Sequence, residues 1–350
     1  MITSHLGRPE GKDLEFSLEP IAKHLAKLMD HPVQFVDDCI GDKVIQAVKK
    51  APPHALILLE NVRFHKEEEA NDPAFAKKIA QATGARYFVQ DCFGVAHRAH
   101  ASIEAITQFI PSVAGFLLEK EYQTITGAME NPKRPLVAVL GGAKIADKIT
   151  VIERFVQIAD KIIIGGAMAN TFLNYKGYKM GASVLEKDQH EVLDRIYEAA
   201  HKKRDESIED FIILPTDVAV AGEIDPKSKR RNVKLSDITA TDIALDIGDA
   251  SIERVVEEIK GAKTVIWNGT LGYAELPEFA HGSARLALAL ASEPKITSII
   301  GGGDTADFVL KWGDGTGDEF TLVSTGGGAS LELMAGAKLP GIESLLDARK

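Results

Sequence analysis

Apolar positions along the chain alternate between two spacings. Short runs of consecutive apolar residues predict buried strands, and stretches with apolar residues three or four apart predict amphipathic helices. In the first half, residues 2–4 read as the end of a strand and 5–9 as a loop. Residues 18–29, 42–50 and 73–83 carry helical spacing, the last closed by Gly84, and residues 33–36, 55–59 and 87–89 read as strands. Glu67-Glu68-Glu69 reads as a solvated charge run. Residues 115–130 form one long helical pattern with charges at Glu119, Lys120 and Glu121, stopped by Pro132 and Pro135. This predicts a helical link between two α/β units.

The second half repeats one design. Five apolar runs end at glycine: 136–140 at Gly141-Gly142, 162–164 at Gly165-Gly166, 265–267 at Asn268-Gly269, 298–300 at Gly301 to Gly303, and 322–324 at Gly326 to Gly328. Strands alternating with helices predict a parallel sheet with helices on its faces, and in such a sheet the five ends share one edge. Residues 223–237, charged and glycine-poor, read as a surface excursion.

Composition narrows the classes. The chain has 350 residues and a formal net charge of −10, enough material for two domains and the wrong sign for a general nucleic-acid or anionic-membrane binder. Its two cysteines, Cys39 and Cys92, suggest no disulfide framework, and no apolar run approaches a membrane span. With no signal-peptide pattern at the start, the expectation is a soluble cytoplasmic protein.

The glycine edge points to an extended phosphate-bearing ligand, a nucleotide above all. There is no Walker-type P-loop, and no G-x-G-x-x-G follows a strand, which weighs against a dinucleotide-dependent oxidoreductase. Nor does any CxxC pair or HExxH support a zinc site. Lys144 and Lys148 lie four apart. On a helix they would share one face, fit either for a phosphate chain or for solvent. Asp304 and Thr305 suit Mg²⁺ and phosphate, and equally a helix N-cap. Glu275 is placed for ribose hydroxyls or is an ordinary loop acid. In the first half, His5, Arg8, Arg63, His97, Arg98 and His100 all follow strand candidates. Together they favour a site for a small anion. Phosphoryl transfer between a nucleotide lobe and an anion lobe follows naturally, and it needs positioning and charge neutralisation rather than a covalent nucleophile.

These motifs resemble the phosphoglycerate kinase family over essentially the whole chain. The residues carrying the resemblance are Ser4 to Pro9, Leu59 to Phe64, Asp91 to Ser102, Gly141 to Thr150, Gly165 to Phe172, Asp246 to Ala250, Trp267 to Gly269, Gly301 to Thr305 and Ser324 to Ser330. The resemblance implies two Rossmann-like three-layer α/β domains with parallel sheets, joined by a helix. The expected parts are a triose-phosphate lobe at 1–114, a linker at 115–135, a nucleotide lobe at 136–335 and a segment at 336–350 returning to the first lobe. The implied reaction is reversible phosphoryl transfer between 1,3-bisphosphoglycerate and MgADP, giving 3-phosphoglycerate and MgATP in glycolysis. By the same resemblance His5, Leu6, Gly7, Arg8, Arg63 and Arg98 hold the triose. Lys148, Gly165, Asn268, Glu275, Gly302, Gly303, Asp304 and Thr305 hold the nucleotide, with Asp304 toward Mg²⁺. Arg8, Lys144, Gly326 and Gly327 stabilise the transferring group. The family closes its lobes on hinges, here 115–135 and the C-terminal end, and a monomer is expected.

Two departures stand out. The family begins with a further strand and loop that contribute to the triose site, so the first lobe is expected to lack its first strand. That leaves an alternative reading as a truncated, catalytically deficient nucleotide-binding fragment. Thr270 stands where the family usually has proline.

Overall fold

A computed structural model describes residues 1–203 and 207–347. The chain divides into two compact units, residues 1–119 with 338–350, and residues 120–337.

In unit 1, β1 (Val33–Val36) and β2 (Leu56–Leu59) pair in parallel, as do β3 (Phe88–Gln90) and β4 (Ser112–Ala114). They form two separate two-stranded sheets rather than the single sheet expected. Ile2 extends the first by a parallel bridge, donating its N–H to Ile57 O and accepting from Leu59 N–H. The strand end read at residues 2–4 is therefore real. Strands alternate their polar groups between two sides. Ile2 faces β2, so Thr3 faces the other way, into a groove of about 470 Å³ whose far wall is β3. Val36, Val44, Ile57, Leu59, Phe75 and Ile79 anchor the core beneath. The helix Pro73–Thr83 begins under the Asp72 carboxylate and ends at Gly84 in the left-handed region (φ 57°), as its spacing predicts. Residues 338–347 belong to this unit, where Gly341 donates its N–H to Ala96 O.

In unit 2, β5 (Leu136–Leu140), β6 (Lys161–Ile164), β7 (Ile212–Ile213), β11 (Thr264–Asn268), β12 (Thr297–Gly301) and β13 (Leu322–Val323) form a parallel sheet in the order β13-β12-β11-β5-β6-β7. All five glycine-ended strands lie in it, and their C-terminal ends share one edge. β5 and β11 are buried at every residue, which is why their sequences read as unbroken apolar runs. The alternating pattern did not reveal a second sheet. β8 (Asp217–Ala221), β9 (Arg231–Lys234) and β10 (Ile243–Ile247) form an antiparallel sheet in the order β10-β8-β9. The stretch read as a surface excursion thus supplies an edge strand, polar because three of its four residues are exposed. Among the described residues no helix is long and apolar enough to cross a membrane.

Candidate active site

The loop after the Ile2 bridge is held from the end of β2. Asn61, fully buried, donates from Nδ2 to Leu6 O (2.8 Å) and Phe16 O (3.0 Å). Glu60 accepts from the Ser17 hydroxyl and the Leu18 N–H. Gly7 takes φ +62°, and a side chain there would collide with the Phe16 ring. Arg63 follows on a 3-10 turn whose N–H is accepted by Asn61 Oδ1. Only 8% exposed, it donates from Nη1 to Gly7 O at 2.7 Å. Its Nε faces Glu69 Oε1 at 3.3 Å.

The turn after β3 brings up Arg98, whose Nε donates to His97 Nε2 at 3.3 Å. Burial first, then the charges of Arg63, His100 and Arg98, push the His5 imidazole down to about 4. Burial, Arg98 and Arg8 likewise lower Arg63, against the pull of Glu69 and Glu68. His5, Arg8, Arg63, Arg98 and His100 therefore share one field in which cations prevail. The charge run 67–69 is not solvated throughout. Glu68 is 2% exposed and accepts from the Ser102 N–H (2.9 Å) and hydroxyl (2.6 Å), so a buried hydrogen-bonded acid was hidden in an acidic triplet. Leu6 and Arg8 are exposed at the rim.

At the glycine edge of unit 2 the turns after β5, β6 and β11 interlock. Gly141 donates to Asn268 O, Gly142 to Thr270 O and Gly166 to Leu271 O. A Cβ on Gly166 (φ +62°) would lie 2.6 Å from Gly142 N and 2.8 Å from Thr270 O, and one on Gly165 would strike Leu271. These glycines serve close packing, and the amides of Gly141 and Gly142 are already used. That corrects the expectation that they face an anion. The first-turn N–H groups of the helix Gly303–Trp312 have no intrahelical acceptor.

Lys144 and Lys148 do not share a helix face. Lys144 lies in the turn, exposed, and the α-helix begins only at Ile149. The glycine-tight turn delays the helix beyond what spacing predicts. Lys148 still reaches the edge: its Nζ sits 3.3 Å from where a Gly142 Cβ would be. Burial lowers its pKa while Asp147 and Asp304 pull it back up. The cap at the start of the Gly303 helix is Gly302, with no side-chain cap bond, so Asp304 is exposed rather than an N-cap. Thr305 is buried and accepts the Gly269 N–H at 2.8 Å. Asn268 lies against Gly301 and Gly302, and its buried Nδ2 has no hydrogen-bond partner. Gly327 (φ +52°) caps the helix Gly328–Met334, and the Ser324 hydroxyl accepts the Gly326 N–H. Glu275 is exposed on the loop after β11.

Three contributors escaped the sequence reading. Glu121, on the helix Phe116–Glu130, is 1% exposed and accepts the Thr325 N–H at 3.3 Å, beside the Gly326-Gly327 turn. Burial raises its carboxyl above the usual range. The signal was present, since Glu121 falls on the stripe of Leu118, Ile125, Ala128 and Met129, all buried. Val184 and Tyr273 are large and yet 54% and 42% exposed. They flank β10: the Ser183 hydroxyl accepts the Ala244 N–H, and the Tyr273 N–H donates to Leu245 O.

The Tyr273–Glu275 loop rests on a buried ion pair. Asp246 accepts from Arg230 Nη1 (2.8 Å), the Gly282 N–H (3.0 Å) and the Ile247 N–H (2.9 Å), with side chains 0% and 7% exposed for acid and base. A Cβ on Gly272 would sit 2.6 Å from Asp246 Cγ, so the loop packs directly on the carboxylate. Burial pushes Asp246 up to about 6 despite these partners. Asp246→Ala leaves Arg230 only Asp249 and Ile247 O and takes the acceptor from the buried Gly282 and Ile247 N–H groups, and is expected to cost about 1–3 kcal/mol of stability. Urea unfolding checks this, and a loss under about 1 kcal/mol would show that the pair does not hold the loop.

A cluster of cationic side chains lies on one α/β unit and an edge of glycine turns on the other. That combination belongs to the class of phosphotransferases. A family model described as phosphoglycerate kinase matches residues 1–337. The phosphoglycerate kinase of Dictyoglomus turgidum is 44% identical over 347 residues, covering 99% of this chain and 85% of that protein. The one from Chlorobaculum tepidum is 47% identical over 352 residues, covering 99% and 86%. The phosphoglycerate kinase structure from Coxiella burnetii superposes with a TM-score of 0.85 at 36% identity, covering 99% and 86%. The chain belongs to the phosphoglycerate kinase family, and its reaction is that family's reversible transfer of a phosphoryl group between 1,3-bisphosphoglycerate and ADP. Matches of this extent give no support to the alternative of a deficient fragment.

Proposed function

We propose that His5, Leu6, Gly7, Arg8, Arg63 and Arg98 bind the triose phosphate. Lys148, Gly165, Asn268, Glu275, Gly302, Gly303, Asp304 and Thr305 bind the nucleotide. The observation that carries this reading is the positive field around His5, Arg63, Arg98 and His100, which Glu68 and Glu69 offset only in part. Guanidinium forks suit phosphate and carboxylate oxygens, and a low-pKa imidazole is ready to take up a proton beside an anion. At the other site the Gly303 helix start offers unpaired N–H groups, Asn268 a spare donor, and Val184 with Tyr273 apolar faces for a base.

The nucleotide acts as its Mg²⁺ complex. The exposed Asp304 carboxylate beside Lys148 fits a hard cation, which would neutralise phosphate charge. In the synthesis of 1,3-bisphosphoglycerate, a carboxylate oxygen of 3-phosphoglycerate forms a bond to the γ-phosphorus. The bond from that phosphorus to the β–γ bridging oxygen breaks, and ADP leaves with the electron pair. Lys144, Arg8 and the Gly326 and Gly327 amides are the groups assigned to the equatorial oxygens in transit. The chain crosses between units at 119–120 and 337–338, where a closing movement would be taken up. We assign the protein to the cytoplasm as a monomer, in keeping with cysteines that both remain thiols.

Calorimetry tests the triose site. Binding of 3-phosphoglycerate at one per chain is expected, weakened at least about tenfold by Arg98→Ala, since a charge-assisted pair is worth roughly 1.5–3 kcal/mol. Unchanged affinity in that variant would overturn the assignment. Binding is also expected to carry a proton. His5 is neutral in the unliganded protein down to about pH 4, below its ordinary value of 6.5. An adjacent dianion raises that value, so His5 takes up a proton on binding between about pH 4 and 6.5, read from buffers of differing ionisation enthalpy as the uptake in excess of that in His5→Gln. Without ligand the depressed pKa favours folding above pH 6.5, and this contribution fades as pH falls toward 4. Uptake no greater than in His5→Gln would remove His5 from the site.

A further inference from the structure

A cavity of about 730 Å³ in unit 2 lies away from the glycine edge. It opens where the helix Gly166–Tyr175 ends, against the start of β8 and the first turn of the helix Asp249–Lys260. The ten residues of the first helix put it roughly 15 Å from the Gly166 turn. None of the residues assigned above to either substrate lines it.

Its walls and rim have different chemistry. Leu173, Ile208, Ile212 and Leu235 make an apolar floor, each under 9% exposed. The Tyr197 ring joins them, and its hydroxyl is buried with no hydrogen-bond partner, a donor left with capacity. Lys176, Lys234 and Arg254 stand around the opening. Two acids also line the cavity, and both are engaged. Asp217 accepts the Ala250 and Ser251 N–H groups and the Ser251 hydroxyl. Glu209 lies 3.3 Å from Lys176 Nζ, which also sits 4.6 Å over the Tyr197 ring. Arg254 is 3.6 Å from Asp210. Lys234 has no ion-pair partner among the described residues, a spare cation at the mouth of an apolar cavity in a protein of net charge −10.

We propose that this cavity is a second small-molecule site, for an amphipathic aromatic anion: a flat apolar body on the Leu173–Leu235 floor and one carboxylate, sulfonate or phosphate group at Lys234. A cavity of this size, mostly apolar with a few convergent polar groups, is the usual form of a small-molecule site. Charge at its mouth fixes orientation, and the floor supplies affinity. Its position at the far end of the helix from the nucleotide edge makes the two sites non-competitive.

The probe is 8-anilino-1-naphthalenesulfonate, titrated into the full chain and followed by fluorescence, with and without saturating MgADP. The expected result is enhancement from a site filled once per chain and indifferent to MgADP. Lys234→Glu weakens that site at least about fivefold. Ala250→Trp, which fills the cavity from the exposed first turn of its helix, removes it. Turnover confirms that both variants are folded; should Ala250→Trp fail to fold, the exposed Lys234→Glu decides alone. Three results overturn the proposal: no enhancement, displacement by MgADP, or equal enhancement in Lys234→Glu and wild type.

Discussion

Lys144→Ala is expected to lower kcat by about 10²–10³, the equivalent of about 2.7–4 kcal/mol of transition-state stabilisation, with little change in either KM. The lysine is exposed in the turn after β5, so its loss leaves no cavity and strands no partner. The turn itself is fixed one residue on, where the Ile145 N–H donates to Glu186 Oε2 at 2.6 Å. The backbone therefore stays in place while the charge disappears. Lys148→Ala acts differently. Lys148 sits over Gly142 and senses Asp304, so its removal should raise the KM for nucleotide as well as lower kcat. A Lys144→Ala enzyme with unaltered kcat would take that residue out of the transferring-group contacts and leave only the amides and Arg8.

Gly166→Ala is the substitution with the largest expected effect on the fold, about 3–5 kcal/mol, combining left-handed backbone strain with overpacking. The added carbon would lie 2.6 Å from Gly142 N and 2.8 Å from Thr270 O, both backbone atoms of neighbouring turns, so no side chain can swing aside. Gly177→Ala is the control. Its φ is +94°, but nothing lies within 4 Å, so it carries the strain without the collision and should cost about 1–2 kcal/mol. Urea midpoints with unchanged m-values give both numbers. Equal losses in the two variants would mean that the interlocked turns are not tightly packed.

These two substitutions divide what the chain discloses from what it conceals. The strand-to-glycine repeat places five strand ends on one edge, and that edge exists, because a strand buried on both faces must be apolar throughout. The use of each glycine is not legible. Gly141 and Gly142 spend their amides on Asn268 and Thr270, partners more than 100 residues away in sequence. The antiparallel β8–β10 sheet escaped because β9 is an exposed edge strand whose residues, Arg231-Asn232-Val233-Lys234, read as surface. Glu68 and Glu121 escaped because acids are presumed solvated, although hydrogen bonds to Ser102 and Thr325 make their burial tolerable. Glu121 could have been found from its place on an apolar stripe. Glu68, in an acidic triplet, carried no such signal. The cation cluster was legible as residues following strands, but the depressed His5 pKa arises from packing that only the folded loop provides.

The central claim is that this chain binds a triose phosphate on one unit and a magnesium nucleotide on the other, and passes a phosphoryl group between them. Turnover of the chain with 3-phosphoglycerate and MgATP, coupled to NADH oxidation, tests it most directly. The account predicts steady NADH consumption that requires both substrates and falls at least about tenfold in Arg98→Ala and about 10²–10³ in Lys144→Ala. Folded protein that binds both substrates and consumes no NADH would contradict it.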